Sequence, residues 1–383
     1  MNWYRNYLLP GLIFQSVVIG GGYATGRELI EFFFASGPIG GLLGLATAGV
    51  VFGVVLAVGF EFARVFGAYD YRHFCQKLLG RGWGIFELAF CIQLLLVLSV
   101  IGSAAGQIAQ ESFAIPSLVG TLLLMAMIAV LVFSGSEAIK RVLAGWSFLL
   151  YLVYGLMIVL AFHSFGDNIF QTYSEADSGS GWLQSGVLYS GYNLAVLPAV
   201  LFVISGLNRR RQAIGAGLIA GLVAVLPAMS FFVAMMSAYP EIGDEPVPAS
   251  LLMSRFGSGW LELTFQVVVF GTFIETGTAL LHAVNERLAG LRRDEHREMP
   301  AYQRALVALI LLSISIFAAE QFGIVDLIAR GYSALTLVFL TIFIFPLLTL
   351  GVWKIIHSSG GARSKPSEPD QVQSLELQES GQS

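Results

Sequence analysis

Gly20-Gly21-Gly22-Tyr23-Ala24-Thr25-Gly26 interrupts the first apolar stretch of a 383-residue chain. A backbone that leaves the helix inside hydrocarbon exposes N–H and C=O groups at a cost of several kcal/mol each, unless a ligand, an ion or buried protein satisfies them. The four glycines permit the unusual backbone and clear side chains from its path. Tyr23 and Thr25 add hydroxyls. A glycine kink filled by a neighbouring helix is the plain alternative.

The surroundings make this a membrane problem. The chain is 56% hydrophobic and only 12% charged, with a mean hydropathy of +0.75, which excludes an ordinary soluble enzyme. About ten stretches reach the roughly 17 apolar residues that cross a bilayer: residues 7–34, 38–60, 84–110, 115–134, 142–163, 183–207, 212–237, 260–284, 304–320 and 326–352. An all-α polytopic membrane protein follows. Of the 21 basic residues, all but Arg27, Arg255 and Arg330 fall in alternate connections and at the ends. That asymmetry puts both termini in the cytoplasm of a multi-pass protein of the cell (inner or plasma) membrane. The apolar N-terminus imitates a signal peptide and is read as a retained first span. Residues 66–82 mix aromatic and charged residues as a short helix at the inner interface would. Cys75 and Cys91 have no external position from which to form a disulfide.

Five spans precede the loop near residue 170 and five follow it, so the two halves enter the membrane from opposite sides. The expected units are a first five-helix repeat over 1–164, an external loop over 165–182, a second inverted five-helix repeat over 183–357, and a disordered cytoplasmic tail over 358–383, where Gly, Ser, Gln and Glu cannot build a core. The first span of the second half carries its own interruption, Ser190-Gly191-Tyr192-Asn193, followed by Pro198. The first and sixth helices are thus expected to be broken. Matched breaks in inverted halves are where secondary transporters bind their solutes. Small residues four apart, such as Gly49 with Gly53, Gly102 with Gly106 and Gly217 with Gly221, are read as close helix packing.

Helix ends facing each other across a break carry opposite partial charge. The first break therefore offers a cation pole and an anion pole, which a zwitterion such as an amino acid fits. Solute contacts are expected from Gly20, Gly21, Gly22, Tyr23, Ala24, Thr25 and Gly26, from Ser190, Gly191, Tyr192 and Asn193, and from Ser103 and Gln107 on the polar stripe of the third span, which also carries Gln93 and Ser99. For Asn193 and the stripe, ordinary interhelical hydrogen bonds are the alternative. Glu275, midway through the eighth span, either binds a cation or carries a proton, or is simply paired. An outer gate pairs Arg27 with Asp326, or Glu28 with Arg330; local i,i+4 pairing of Arg27 with Glu31 competes.

The pattern from Gly20 to Glu28, with Arg27 before the acid, resembles the signature of the YkvI-like membrane proteins, a branch of the amino acid-polyamine-organocation superfamily. The resemblance continues through Glu275 to Arg287 and Gly323 to Tyr332. It implies the LeuT-type fold, two inverted five-helix repeats, and alternating-access transport of an amino acid or similar small organic solute driven by sodium or protons. It also implies a sodium site near Ile19, Gly22, Thr276 and Thr278. No lysine lies in the fifth span to act as a built-in cation, so the coupling ion stays open.

A receptor on the same scaffold that binds without transporting needs the same pocket. A channel requires continuous polar lining, which these Phe-, Leu- and Val-rich spans lack. No phosphate loop is present, so ATP-driven transport by this chain alone is not expected, and since Tyr69-Asp70 lies at a span end with no Gly-x-Gly-Asp after it, no enzymatic activity is expected. The net charge of −4 says nothing further about partners, and no nucleic-acid partner is expected. The partners are the bilayer, the solute and Na+ or H+, and no cofactor beyond a sodium ion is implied.

Overall fold

The computed structural model describes residues 3–133, 136–294 and 300–361. The expected disordered tail lies almost wholly outside the described residues. The described chain is helical throughout, with no strand. The first apolar stretch folds as three pieces, α1 (Leu9–Val18), α2 (Gly21–Thr25) and α3 (Arg27–Phe33). There follow α4 (Gly37–Phe66), α5 (Tyr71–Leu79), α6 (Trp83–Phe113), α7 (Ser117–Phe133) and α8 (Ser136–Ser174). The second half runs through α9 (Trp182–Asn193), α10 (Leu197–Val200), α11 (Arg210–Met235), α12 (Pro248–Ser254), α13 (Gly259–Asp294), α14 (Ala301–Asp326), α15 (Ser333–Phe339) and α16 (Val352–Gly361).

Among the described residues, 7 stretches are long and apolar enough to cross a membrane. The expected number was about ten. The difference lies in α7, whose apolar run is shorter; in the first stretch, which its break divides; and in Ala305–Ser358, where two expected spans run together. Gly323 marks the turn between those two, with φ +70 and ψ 168 inside α14. Helix α8 continues through the residues expected to form a loop, as far as Ser174, with a bend at Phe165.

Chain chemistry explains the boundaries. Helix α4 begins with Pro38 in its first turn, where a missing N–H costs nothing, and stops at Gly67, which takes the left-handed conformation that closes a helix. Asp70 caps α5 by accepting from the His73 N–H at 2.9 Å. Phe74, Cys75 and Leu78 of α5 are buried, and Lys354 donates to the Lys77 carbonyl at 2.6 Å. The expected interfacial helix is therefore docked on the end of the last span.

The small-residue pairs bring backbones together. A Cβ on Gly217 would stand 2.3 Å from the Ala57 nitrogen, and one on Gly221 would stand 2.3 Å from the Gly53 nitrogen. Helices α4 and α11 thus touch backbone to backbone and form the most extensive helix pair of the bundle. Gly102 and Gly106 admit Met125, Thr121 and Ser117 of α7 in the same way. With α4 and α11 locked together, the divided first stretch is held between them and α6, α9 and α13.

Candidate functional site: the break in the first helix

Helix α1 ends at Ile19, whose ψ is 71. Gly20 is extended, and the single turn of α2 closes at Gly26 in the left-handed region, φ +81. The freed backbone groups find partners close by. Gly20 N–H donates to the Val18 carbonyl at 2.8 Å and Gly26 N–H to the Tyr23 carbonyl at 2.9 Å. Thr25 Oγ1 donates to the Gly22 carbonyl at 2.8 Å and accepts from the Arg27 N–H at 3.3 Å. The Tyr154 hydroxyl of α8 donates to the Ala24 carbonyl. Gly26 is required twice over: its φ is positive, and a Cβ there would lie 2.7 Å from Met235 Sδ.

Arg27 and Glu28 begin α3 on opposite errands. Arg27 donates through Nη1 to the carbonyls of Gly243 (2.9 Å) and Glu245 (3.1 Å), and pairs through Nη2 with Glu31 at 3.0 Å. Glu28 turns inward and is 3% exposed. Its carboxylate folds over Gly22, where a Cβ would meet Oε2 at 3.0 Å. The Tyr23 backbone N–H and the Asn193 side chain point at it. The expected outer gate is corrected accordingly: neither Arg27 with Asp326 nor Glu28 with Arg330 is paired. Arg330 bonds Asp326 at 3.3 Å within its own helical turn, and the local alternative for Arg27 holds.

The stretch Ser190–Asn193 behaves differently from expectation. It is the helical end of α9, and the departure from α-helix comes just after it, as 3-10 turns at Leu194–Val196 and Leu201–Ile204. Ser190 Oγ donates to the Gly186 carbonyl at 2.7 Å and Asn193 Nδ2 to the Tyr189 carbonyl at 3.0 Å. Such i−4 bonds satisfy the polar side chains inside an intact helix. Gly191 has a packing reason: a Cβ there would meet Thr336 Cγ2 at 2.7 Å and the Thr336 carbonyl at 3.0 Å.

This helix end still faces the first break. The Tyr192 ring stacks on Phe32 of α3 (centroids 5.9 Å apart) and on Tyr332 (4.6 Å). Tyr189 packs edge-on against Phe33 at 5.1 Å. From α6, Gln93 Nε2 donates to the Tyr192 carbonyl at 3.0 Å. Of the expected solute contacts on α6, Gln107 is tied to Glu111 at 2.7 Å, and Ser103 is buried. Gln93, whose position on the polar stripe was the only hint, is the member that reaches the centre. Tyr189 carried no signal beyond being aromatic, and Tyr332 none beyond ending the Gly323–Tyr332 segment of the resemblance.

Helix α13 meets the other side of the break. A Cβ on Gly20 would lie 3.4 Å from Thr276 Cγ2 and 3.8 Å from its Oγ1. Gly277 faces Ile128 and Ile101 instead. At about 100° per residue, Thr278 therefore stands roughly 200° round the helix from Thr276, and its buried Oγ1 has no partner among the described residues. The expected sodium ligands Thr276 and Thr278 do not share a face. The Gly22 carbonyl, a further expected neighbour of that ion, already accepts from Thr25. Glu275 is half-buried, within electrostatic reach of Tyr151 of α8. Among the described residues no group of three or more His, Cys, Asp or Glu could hold a metal ion.

No family model matches the chain. It is 24% identical over 329 residues to YkvI, an uncharacterized membrane protein of Bacillus subtilis (strain 168), covering 84% of this chain and 89% of that protein. Its fold is similar to that of MhsT, solved in complex with L-phenylalanine, with a TM-score of 0.59, 16% identity, and coverage of 93% of this chain and 98% of that one. It is also similar to an outward-open, substrate-bound Na+-coupled sialic acid symporter, with a TM-score of 0.52, 13% identity, and coverage of 92% and 93%. The chain is thus a multi-pass, all-α membrane protein with the LeuT-type transporter fold, similar along most of its length to YkvI.

Proposed function

We propose that this protein is a secondary active transporter that moves a small organic solute by alternating access, coupled to sodium or protons. The observation that carries this reading is the break itself. Between Ile19 and Gly26 the backbone leaves the helix at the centre of the bundle, against α6, α9 and α13. Such a break would be costly in lipid, and broken helices facing the bundle centre are where secondary transporters bind their solutes. The fold likeness to a Na+-coupled sialic acid symporter supports the same reading.

In this reading the residues 1–164 and 183–357 are inverted repeats, both termini are cytoplasmic, and one bundle rocks against the rest around the break. The solute lies between Gly20–Gly26 and the end of α9. A sodium ion would sit between Ile19, Gly20 and Thr276, and Glu275 would titrate or coordinate as the bundle moves. Arg27 closes the outer side by pinning the external segment Gly243–Glu245 to the top of α3.

The test is uptake of a labelled mixture of amino acids and amines into proteoliposomes under separately imposed sodium and proton gradients. Accumulation under one gradient establishes the transporter and names its ion. Saturable binding without accumulation under either gradient, in protein shown to be correctly inserted, would replace transport with reception.

A further inference from the structure

Among the described residues, two carboxylates of the helical bundle are almost fully buried, and they are treated in opposite ways. Glu61, at the end of α4, is 4% exposed. Arg64 clamps it with two bonds of 2.8 and 2.7 Å, and Arg210 stands 3.8 Å away. Glu28 is as deeply buried and has no such clamp. Its neighbour Arg27 is committed to Glu31 and to the Gly243 and Glu245 carbonyls. Glu28 Oε1 has no hydrogen-bond partner among the described residues.

The elements packed around the break hold further polar atoms that are unused among the described residues. Gln93 Oε1 is buried without a partner while its Nε2 holds the Tyr192 carbonyl. The Tyr23 and Tyr192 hydroxyls are likewise buried and unpartnered. An ionised carboxylate and an amide oxygen can only accept. With Glu28 ionised, the surplus at this site is in acceptors and in negative charge. A proton would satisfy one oxygen and leave the rest. An anion would add to the surplus. A protonated amine brings three N–H donors and the compensating charge, and the edges and faces of the surrounding tyrosines suit it.

Where Glu28 lies also bears on which solute fits. Its carboxylate already lies against Gly22 and the Tyr23 N–H, so a zwitterion would have to place like charge beside it. We propose that Glu28 is the cation-recognition group of the central site, and that the solute is a small organic ammonium, bound through its amine by Glu28, Gln93 and the Tyr23 and Tyr192 hydroxyls. This rests on the transporter reading for the word solute, but it is tested at equilibrium, without transport.

The experiment is thermal unfolding and calorimetric titration of the purified full-length protein with methylammonium, butylammonium and phenethylammonium. Matched zwitterions (alanine, norleucine, phenylalanine), matched anions (acetate, pentanoate, phenylpropionate) and sodium chloride alone are run in parallel. At least one amine should bind saturably. Glu28→Gln should weaken that binding at least tenfold, and Glu28→Asp should recover part of it. In the parent, saturating amine should slow modification of Glu28 by a hydrophobic carbodiimide, read by peptide mass; this arm stands even if the variants do not fold.

No binding by any amine, amine binding unchanged in Glu28→Gln, or no protection of Glu28 would each overturn the proposal. So would stabilisation through Glu28 by sodium alone or by the zwitterions in preference to the amines. Amine binding without uptake keeps this assignment and removes the transporter reading. Uptake of a zwitterion that is indifferent to Glu28 does the reverse.

Discussion

The two Gly-Tyr stretches, Gly20–Gly26 and Ser190–Asn193, look alike in sequence and fold differently. In the first, the backbone leaves the right-handed helical region at Ile19, Gly20 and Gly26. In the second, Asn193, Leu194 and Val196 all stay within it, and the helix merely tightens into 3-10 turns. The difference follows from what each stretch faces. Gly191 is small because Thr336 leaves no room for a Cβ, and Ser190 and Asn193 return their bonds to their own helix. Gly26 is glycine because its φ admits little else, and Glu28, Tyr23 and Arg27 beside it send their polar groups elsewhere or leave them unpaired. Glycine among hydroxyls inside a membrane span therefore has two meanings, a bent backbone or a close neighbour, and only the packing partner separates them.

Gly26→Ala is the sharpest way to break the comparison. It incurs a left-handed penalty of roughly 1–2 kcal/mol and an overpacking penalty of about 1–3 kcal/mol against Met235, Phe231 and Pro248. A large fall in the thermal midpoint, with loss of transport, is expected in purified protein. Gly191→Ala incurs only the overpacking, about 1–3 kcal/mol, because its backbone is helical. Should Gly191→Ala prove the more damaging of the two, the second stretch would be the strained one and the comparison would be inverted.

Asn193→Ala addresses what joins the two regions. It removes an i−4 bond to Tyr189 and the amide that faces Glu28. The expected loss is about 0.5–1.5 kcal/mol, read as a roughly two- to tenfold weaker solute affinity in protein that still inserts. Unchanged affinity, with the same loss of stability, would assign Asn193 to helix packing alone.

The break at Gly20–Gly26 was legible because consecutive glycines disfavour a continuous helix, and the close packing of α4 and of α11 was legible, without their pairing, because small residues at four-residue spacing permit close approach. The competing pairing of Arg27 with Glu31 was legible from i,i+4 spacing. The inward direction of Glu28 was not. A helical phase read from α1 cannot be carried across two departures from helix, and the turn at Gly26 resets which residues of α3 face the core. Nor could sequence show that carbonyls of Gly243 and Glu245, more than 200 residues away, would hold Arg27. At Ser190–Asn193 the misreading has a local cause: polar side chains were taken as signs of an open backbone, where i−4 bonding lets the helix absorb them. Of the polar stripe on α6, spacing alone could not choose between Gln93 and Gln107, which differ in whether Tyr192 or Glu111 lies within reach.

The smallest expected effect tests how the first break meets α13. Thr276 lies beside Gly20, whereas Gly277 faces Ile128 and Ile101, which turns Thr278 to another side of the helix. Thr276→Val should reduce sodium-driven uptake by at least about tenfold, equivalent to about 1.4 kcal/mol, because it removes the hydroxyl nearest the free end of α1. Thr278→Val replaces a buried hydroxyl that has no partner with a methyl of the same shape, a change that is nearly neutral or stabilising. Its unfolding free energy should stay within about 0.5 kcal/mol of the parent's or rise, and its sodium dependence should not change. Measured side by side in proteoliposomes, equal loss in both variants would mean that the two hydroxyls share one ion after all. Loss in neither would move the coupling site away from the break and leave protons as the ion to pursue.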